Sequence, residues 1–308
     1  MPILRATATD TGLKLGTEDA SRSLRAALWA DPGPVTLMVH GYKYLPGHPV
    51  HCPHTSLQAA EPTRADARIL SWPRHLGLQG QYGEGLGISF GWSARGSIWA
   101  AHRRAEQAGD AMAGLFARIH TIDPDRPIHV IAHSLGARVA LRAIAGSRPG
   151  TVSRAILLAA AEFSGTAAAA LDHAGPGTQV LNVTSRENDL FDFLLERLVA
   201  PPHPGDRMLG LGRLRLPNMV TLQLDDPRSL EALDTAGFPI APPLRRVCHW
   251  SPYTREGVFP LYRRVLSGAL PLSRLRALLP DEGTPRWSRL IPALPRAPIA
   301  QGGQPAAR

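Results

Sequence analysis

Cysteine, lysine and long apolar runs are what this sequence has least of. Its 308 residues include two cysteines, Cys52 and Cys248. They form no CxxC pair, which argues against a disulfide framework and against a zinc knuckle. Both are expected to be reduced thiols. No uninterrupted apolar stretch approaches the roughly 20 residues that cross a bilayer. The opening residues, MPILRATATD, lack the apolar core of a signal peptide, so a cytoplasmic protein is expected. Lysine occurs only at Lys14 and Lys43, so the formal net charge of +9 is almost wholly arginine. A strong positive balance can mark an anionic partner, nucleic acid or membrane. Here the arginines are scattered among Pro and Ala, with no recognition motif beside them. Nucleic acid is therefore not expected as a partner, and a membrane surface is the weaker expectation.

What is present is a globular composition, 44% hydrophobic and 19% charged, which excludes a disordered or fibrous chain. Short aliphatic runs recur at Val35–Val39, Leu86–Trp92, Ile128–Ala132, Ala155–Ala159, Gln179–Val183 and Met219–Leu224. Continuous runs of this length predict strands covered on both faces, hence a parallel sheet. Between them lie helical patterns. Ile98, Ala101, Ala105, Ala108, Met112, Leu115 and Ile119 draw one apolar stripe, with Ser97 as N-cap and Pro124 as stop. A second helix is expected over about 134–145, ending at Gly146, and a third over 258–266. The alternation predicts an α/β fold, a mostly parallel central sheet flanked by helices. One domain over about 1–280 is expected, with lid-like insertions near 45–84 and 193–217, a weakly patterned stretch at 227–247, and a Pro-rich tail from 281 to 308.

The most informative stretch is Ala132-His133-Ser134-Leu135-Gly136, where an apolar strand runs directly into a helix. A nucleophile elbow needs this context: the turn is so tight that the residues two before and two after Ser must be small. Ala132 and Gly136 satisfy that, Ala132 standing where Gly is commonest. Ser134 is the expected nucleophile; otherwise it is an ordinary N-cap. The oxyanion hole is expected from the backbone N–H groups of Tyr42, after the turn His40-Gly41-Tyr42, and of Leu135. The acid should follow a later strand, and Asp189 is selected. Glu187 and Asp192 are neighbours that could substitute, and Glu162 is an option one strand earlier. The base should come last in chain order. Of the twelve histidines only His249 lies beyond position 203, which points to it. Asp225 and Asp226 read as loop-capping residues. His40, Gly41, His133, Trp92 and Trp250 are expected around the substrate pocket.

Three motifs, Val39-His40-Gly41-Tyr42, Phe90-Gly91-Trp92-Ser93-Ala94-Arg95-Gly96 and Ala132-His133-Ser134-Leu135-Gly136, carry a resemblance. Over about residues 33–270 the chain resembles bacterial α/β-hydrolases of the esterase/lipase type. The resemblance implies a serine hydrolase with no metal or organic cofactor and a small-molecule ester or acyl substrate. It names no substrate. Thioesterase, amidase or acyltransferase chemistry on the same three residues, and a non-catalytic α/β-hydrolase-like binding module, are the alternatives.

One further cluster, His48-Pro49-Val50-His51-Cys52-Pro53-His54, invites a metal-site reading, but its spacings match no standard zinc pattern. A loop covering the active-site mouth is the expected role. Asn182-Val183-Thr184 fits a glycosylation sequon but sits in an apolar run, and is read as chance.

Overall fold

The computed structural model describes residues 3–16 and 20–285, so most of the Pro-rich tail expected from 281 lies outside the described residues. Eight strands form one sheet: β1 (Leu4–Thr9), β2 (Gly12–Leu15), β3 (Val35–Val39), β4 (Leu86–Gly91), β5 (Ile128–His133), β6 (Arg154–Leu158), β7 (Gln179–Thr184) and β8 (Met219–Gln223). Their order is β2-β1-β4-β3-β5-β6-β7-β8. The β1–β2 pair is antiparallel and every other pair is parallel. The helices are α1 (Ala20–Ala30), α2 (Trp72–Leu76), α3 (Ile98–Ile122), α4 (Leu135–Ala145), α5 (Ser164–Ala174), α6 (Asp189–Leu198), α7 (Pro227–Thr235), α8 (Ser251–Thr254), α9 (Val258–Leu266) and α10 (Leu272–Leu278).

The central strands read as unbroken apolar runs because both sheet faces are covered. Leu37, Val39, Val130 and Ala132 enter one core cluster, while their neighbours Met38 and Ile131 enter the other. This is the period-2 alternation of a strand placed between two layers. On α3, Ser97 accepts from the Ala100 amide at 3.2 Å, and Ala101, Ala105, Ala108, Met112, Leu115 and Ile119 are buried. α6 and α7 occupy parts of the two stretches that carry weak patterning. Asp226 caps α7 by accepting from Ser229 N at 3.0 Å, and Asp225 pairs with Arg186. No described helix is long and apolar enough to cross a membrane.

The segment between β3 and β4 is mostly loop, closed by a buried polar network. His54 bonds Ser89 Oγ at 2.6 Å and Thr7 Oγ1 at 3.0 Å. The Ser89 hydroxyl donates to Gln58 Oε1 at 2.8 Å, and Gln58 Nε2 donates to the Met38 carbonyl at 2.7 Å. The loop is thereby tied to β1, β3 and β4. His48 Nδ1 accepts from the amides of Val50 and His51, and Cys52 Sγ from that of Gly47. Both cysteines are free. Among the described residues no three His, Cys, Asp or Glu side chains are grouped to hold a metal ion. Asn182 of the sequon is fully buried in β7, donating to the Leu209 carbonyl and to Thr221 Oγ1.

Candidate active site

Backbone strain collects at the carboxyl edge of the sheet. Among the described residues the non-glycine positions with positive φ are Lys43, Ser134 and Ala159. They follow the adjacent strands β3, β5 and β6. A non-glycine residue held there costs on the order of 1–3 kcal/mol and persists only where its surroundings over-determine it. At Ser134, φ is 56° and ψ is −125°, and the hydroxyl makes no capping bond to α4 although the residue stands at its N-cap position. An ordinary N-cap has extended backbone and uses its side chain on the helix amides. Ser134 does neither, which sets aside the plain capping role.

The surroundings that hold this turn can be named. Ser134 N donates to the Leu158 carbonyl at 2.9 Å, and the Ser134 carbonyl accepts from Ala137 N and Ala161 N. A Cβ on Gly136 would stand 2.6 Å from the His40 carbonyl oxygen and 2.7 Å from that of Val39. A Cβ on Gly41 would stand 2.7 Å from Ser134 Cβ. Only glycine lets the two turns approach this closely. The backbone amides of Tyr42 and Leu135 donate to no protein acceptor among the described residues, and Leu135 opens α4, whose N-terminus favours negative charge.

His40 and Trp92 differ from the expected pocket wall: both lie in the core, 0% and 1% exposed. Their rings stack with centroids 5.6 Å apart. The Trp92 amide donates to His40 Nε2 at 3.1 Å, Trp92 Nε1 donates to the His40 carbonyl at 3.0 Å, and His40 Nδ1 donates to the Gly41 carbonyl at 2.9 Å. These bonds fix a neutral tautomer, and burial takes the His40 pKa down to about 3. Lys43 N reaches the Ala94 carbonyl, Ala94 N the Tyr44 carbonyl, and the Tyr42 hydroxyl the Gly96 carbonyl. The turn after β3 is thus braced from behind by the segment after β4.

His133 likewise acts as a brace. Its Nε2 donates to the His249 carbonyl at 2.9 Å, and the two rings lie 4.5 Å apart. This bond places the loop of the last histidine against the residue preceding Ser134. No hydrogen bond joins the Ser134 hydroxyl to the His249 ring among the described residues. Cys248 N donates to the Glu187 carbonyl at 2.9 Å, and Phe191 stacks on the His249 ring at 4.6 Å. Trp250 is half-buried, with the Arg68 guanidinium 5.3 Å from its ring.

The partner of His249 is Asn188. His249 Nδ1 donates to Asn188 Oδ1 at 2.5 Å, and Asn188 Nδ2 donates to Asp192 Oδ1 at 2.9 Å. An ionised carboxylate only accepts, so Asp192 turns the amide nitrogen towards itself and leaves the amide oxygen for the ring. That oxygen requires a proton on Nδ1 and leaves a lone pair on Nε2. Burial, with His133 nearby, holds the His249 pKa well below 6.5, so the ring is neutral at pH 7.

Asp189, selected from sequence, and the alternatives Glu162 and Glu187 lie as follows. Asp189 is buried at the first position of α6, one residue beyond the group that meets His249. Glu162 accepts from Arg138 at 2.5 Å and from Phe163 N at 2.8 Å; burial raises its pKa against the pull of Arg138. Glu187 pairs with Arg255, both buried. No protein-family model matches the chain, and no curated protein matches it.

Proposed function

We propose that the chain is a serine hydrolase of the α/β-hydrolase type, acting on a carboxylic ester through an acyl-enzyme intermediate. The observation that carries this reading is the backbone of Ser134: φ 56° and ψ −125°, at a strand–helix junction, with no capping bond. It is supported by the free amides of Tyr42 and Leu135 beside that turn, and by a neutral His249 tethered to the preceding residue.

In this mechanism Ser134 Oγ attacks the acyl carbonyl while His249 Nε2 takes its proton. The hydrogen bond this needs forms with substrate bound, as catalytic bonds commonly tighten only in that complex. The amides of Tyr42 and Leu135 receive the developing oxyanion. His249 then protonates the leaving alkoxide, and water repeats the sequence on the acyl enzyme. Asn188 holds the tautomer, and Asp192 holds Asn188. A neutral amide steadies the imidazolium less than a carboxylate would, and Asp192 supplies the nearest negative charge to it along this chain of bonds.

A fluorophosphonate probe tests the reading. It should label the wild-type chain and leave Ser134→Ala unlabelled. Labelling that survives in Ser134→Ala removes Ser134 as nucleophile. No labelling of the wild type favours the binding-module alternative. Ester, thioester and amide substrates in parallel separate the acyl chemistries.

A further inference from the structure

Beside the His249 loop lies a cavity of about 620 Å³, within the size range of small-molecule sites. One wall is the start of α6, with Asp189 and Leu190; the other includes Leu244, Arg245, Arg246 and Val247. Val247 stands two residues before His249, and Asp189 follows Asn188, so the cavity shares both segments that hold the imidazole.

Its lining is unusual for a surface. Ten large hydrophobic residues are exposed among the described residues; three of them, Leu190, Leu244 and Val247, line the cavity, and Phe193, Leu194 and Leu198 follow Leu190 on α6. These six are therefore gathered on α6 and the facing segment, not scattered; a gathered apolar surface marks a binding site. Leu244 is 92% exposed, so no described residue covers it. The charges are equally one-sided. Arg186, also in the lining, is committed to Asp225. Arg245 and Arg246 are exposed and form no ion pair among the described residues. The carboxylate in the lining, Asp189, is 2% exposed, whereas Arg245 and Arg246 are exposed.

We infer that this cavity binds a single anionic amphiphile, with its alkyl part against Leu190, Leu244 and Val247 and its anionic group at Arg245 and Arg246. As a part of the substrate this rests on the hydrolase reading: the ester would carry an apolar chain and a carboxylate, sulfate or phosphate. The size of the cavity suits one chain and one headgroup, which favours a monomer over a membrane surface.

The test is calorimetric binding to the Ser134→Ala chain, which removes turnover. Decyl phosphate and decyl trimethylammonium, both below their micellar concentrations, and inorganic phosphate are the probes. Decyl phosphate should bind at least tenfold tighter than either of the others. Arg245→Ala/Arg246→Ala, on an exposed segment, should weaken decyl phosphate tenfold or more and leave the cationic amphiphile unchanged. Leu244→Ser should weaken both amphiphiles. Equal affinities for the two headgroups, an unchanged double variant, inorganic phosphate binding as tightly, or uptake by anionic vesicles without monomer binding would each overturn the inference. Probe labelling without this binding removes the cavity inference alone; this binding without labelling removes the hydrolase reading alone.

Discussion

His249 Nδ1 donates to Asn188 Oδ1 at 2.5 Å, across 61 positions of sequence. The bond joins the turn after β7 to the last loop before α8, and Asp192 fixes its polarity from behind. Asn188→Leu, of similar volume, should lower kcat on an activated ester by about 10²–10⁴-fold with little change in KM, because the ring loses its tautomer and orientation. Asp192→Asn should cost about tenfold, since either amide orientation then becomes available to Asn188. Full activity in Asn188→Leu would remove it from the mechanism.

The neighbouring acid gives a sharper contrast. Asp189 is one residue along, on the first turn of α6, and the His249 Nδ1 bond goes to Asn188. Asp189→Asn should leave kcat within about threefold of wild type. A loss equal to that of Asn188→Leu would return the orienting role to the carboxylate. Steady-state kinetics on the two variants side by side decides between them.

These two residues also mark where sequence stops being informative. The elbow is legible because tight packing restricts composition: Gly136 and Gly41 stand where any Cβ would strike backbone or the Ser134 side chain. β3 to β8 are legible because two covered faces demand unbroken apolar runs. β1 and β2 are not, since they lie at the sheet edge with mixed burial and carry Arg5, Thr7, Thr9 and Lys14. Asn188 has no distinguishing residue type, and its role arises from a contact between distant loops. Chain order indicates which loop meets His249, but Glu187, Asn188, Asp189 and Asp192 are all polar and all buried. Which of them meets the imidazole depends on the turn leading into α6. His40 and Trp92 mislead in the opposite sense: an aromatic and a histidine near Ser134 suggest a pocket wall, yet they brace the turn after β3 from the core.

Acid should unfold the protein early. Burial lowers the pKa of His40 to about 3 and those of His54, His102, His129 and His133 to about 4, and takes His249 well below 6.5. Once pH falls below 6.5 the unfolded chain binds protons that the folded chain refuses, so stability falls with falling pH until the folded pKa values are reached. Each such histidine contributes a slope of at most about 1.4 kcal/mol per pH unit. Against a typical total of about 5–15 kcal/mol, several together should drive unfolding between pH 6.5 and 4. Thermal melts followed by circular dichroism should show Tm falling steadily from pH 7 to 5. A flat profile over that range would mean the buried rings are not held neutral.

Ser134 should show a conflict between stability and activity. Its φ of 56° and ψ of −125° mirror an extended conformation that glycine adopts freely and any other residue resists. Ser134→Ala removes the hydroxyl and keeps the strain; Ser134→Gly removes both. The glycine variant gains the strain energy, about 1–3 kcal/mol, and loses about 0.5–1 kcal/mol to the larger entropy of its unfolded chain. Urea unfolding should therefore find Ser134→Gly at least as stable as Ser134→Ala, by up to about 2.5 kcal/mol, with probe labelling absent from both. A Ser134→Gly variant less stable than Ser134→Ala would show that the turn is not strained at Ser134, and the backbone evidence for a nucleophile would fall with it.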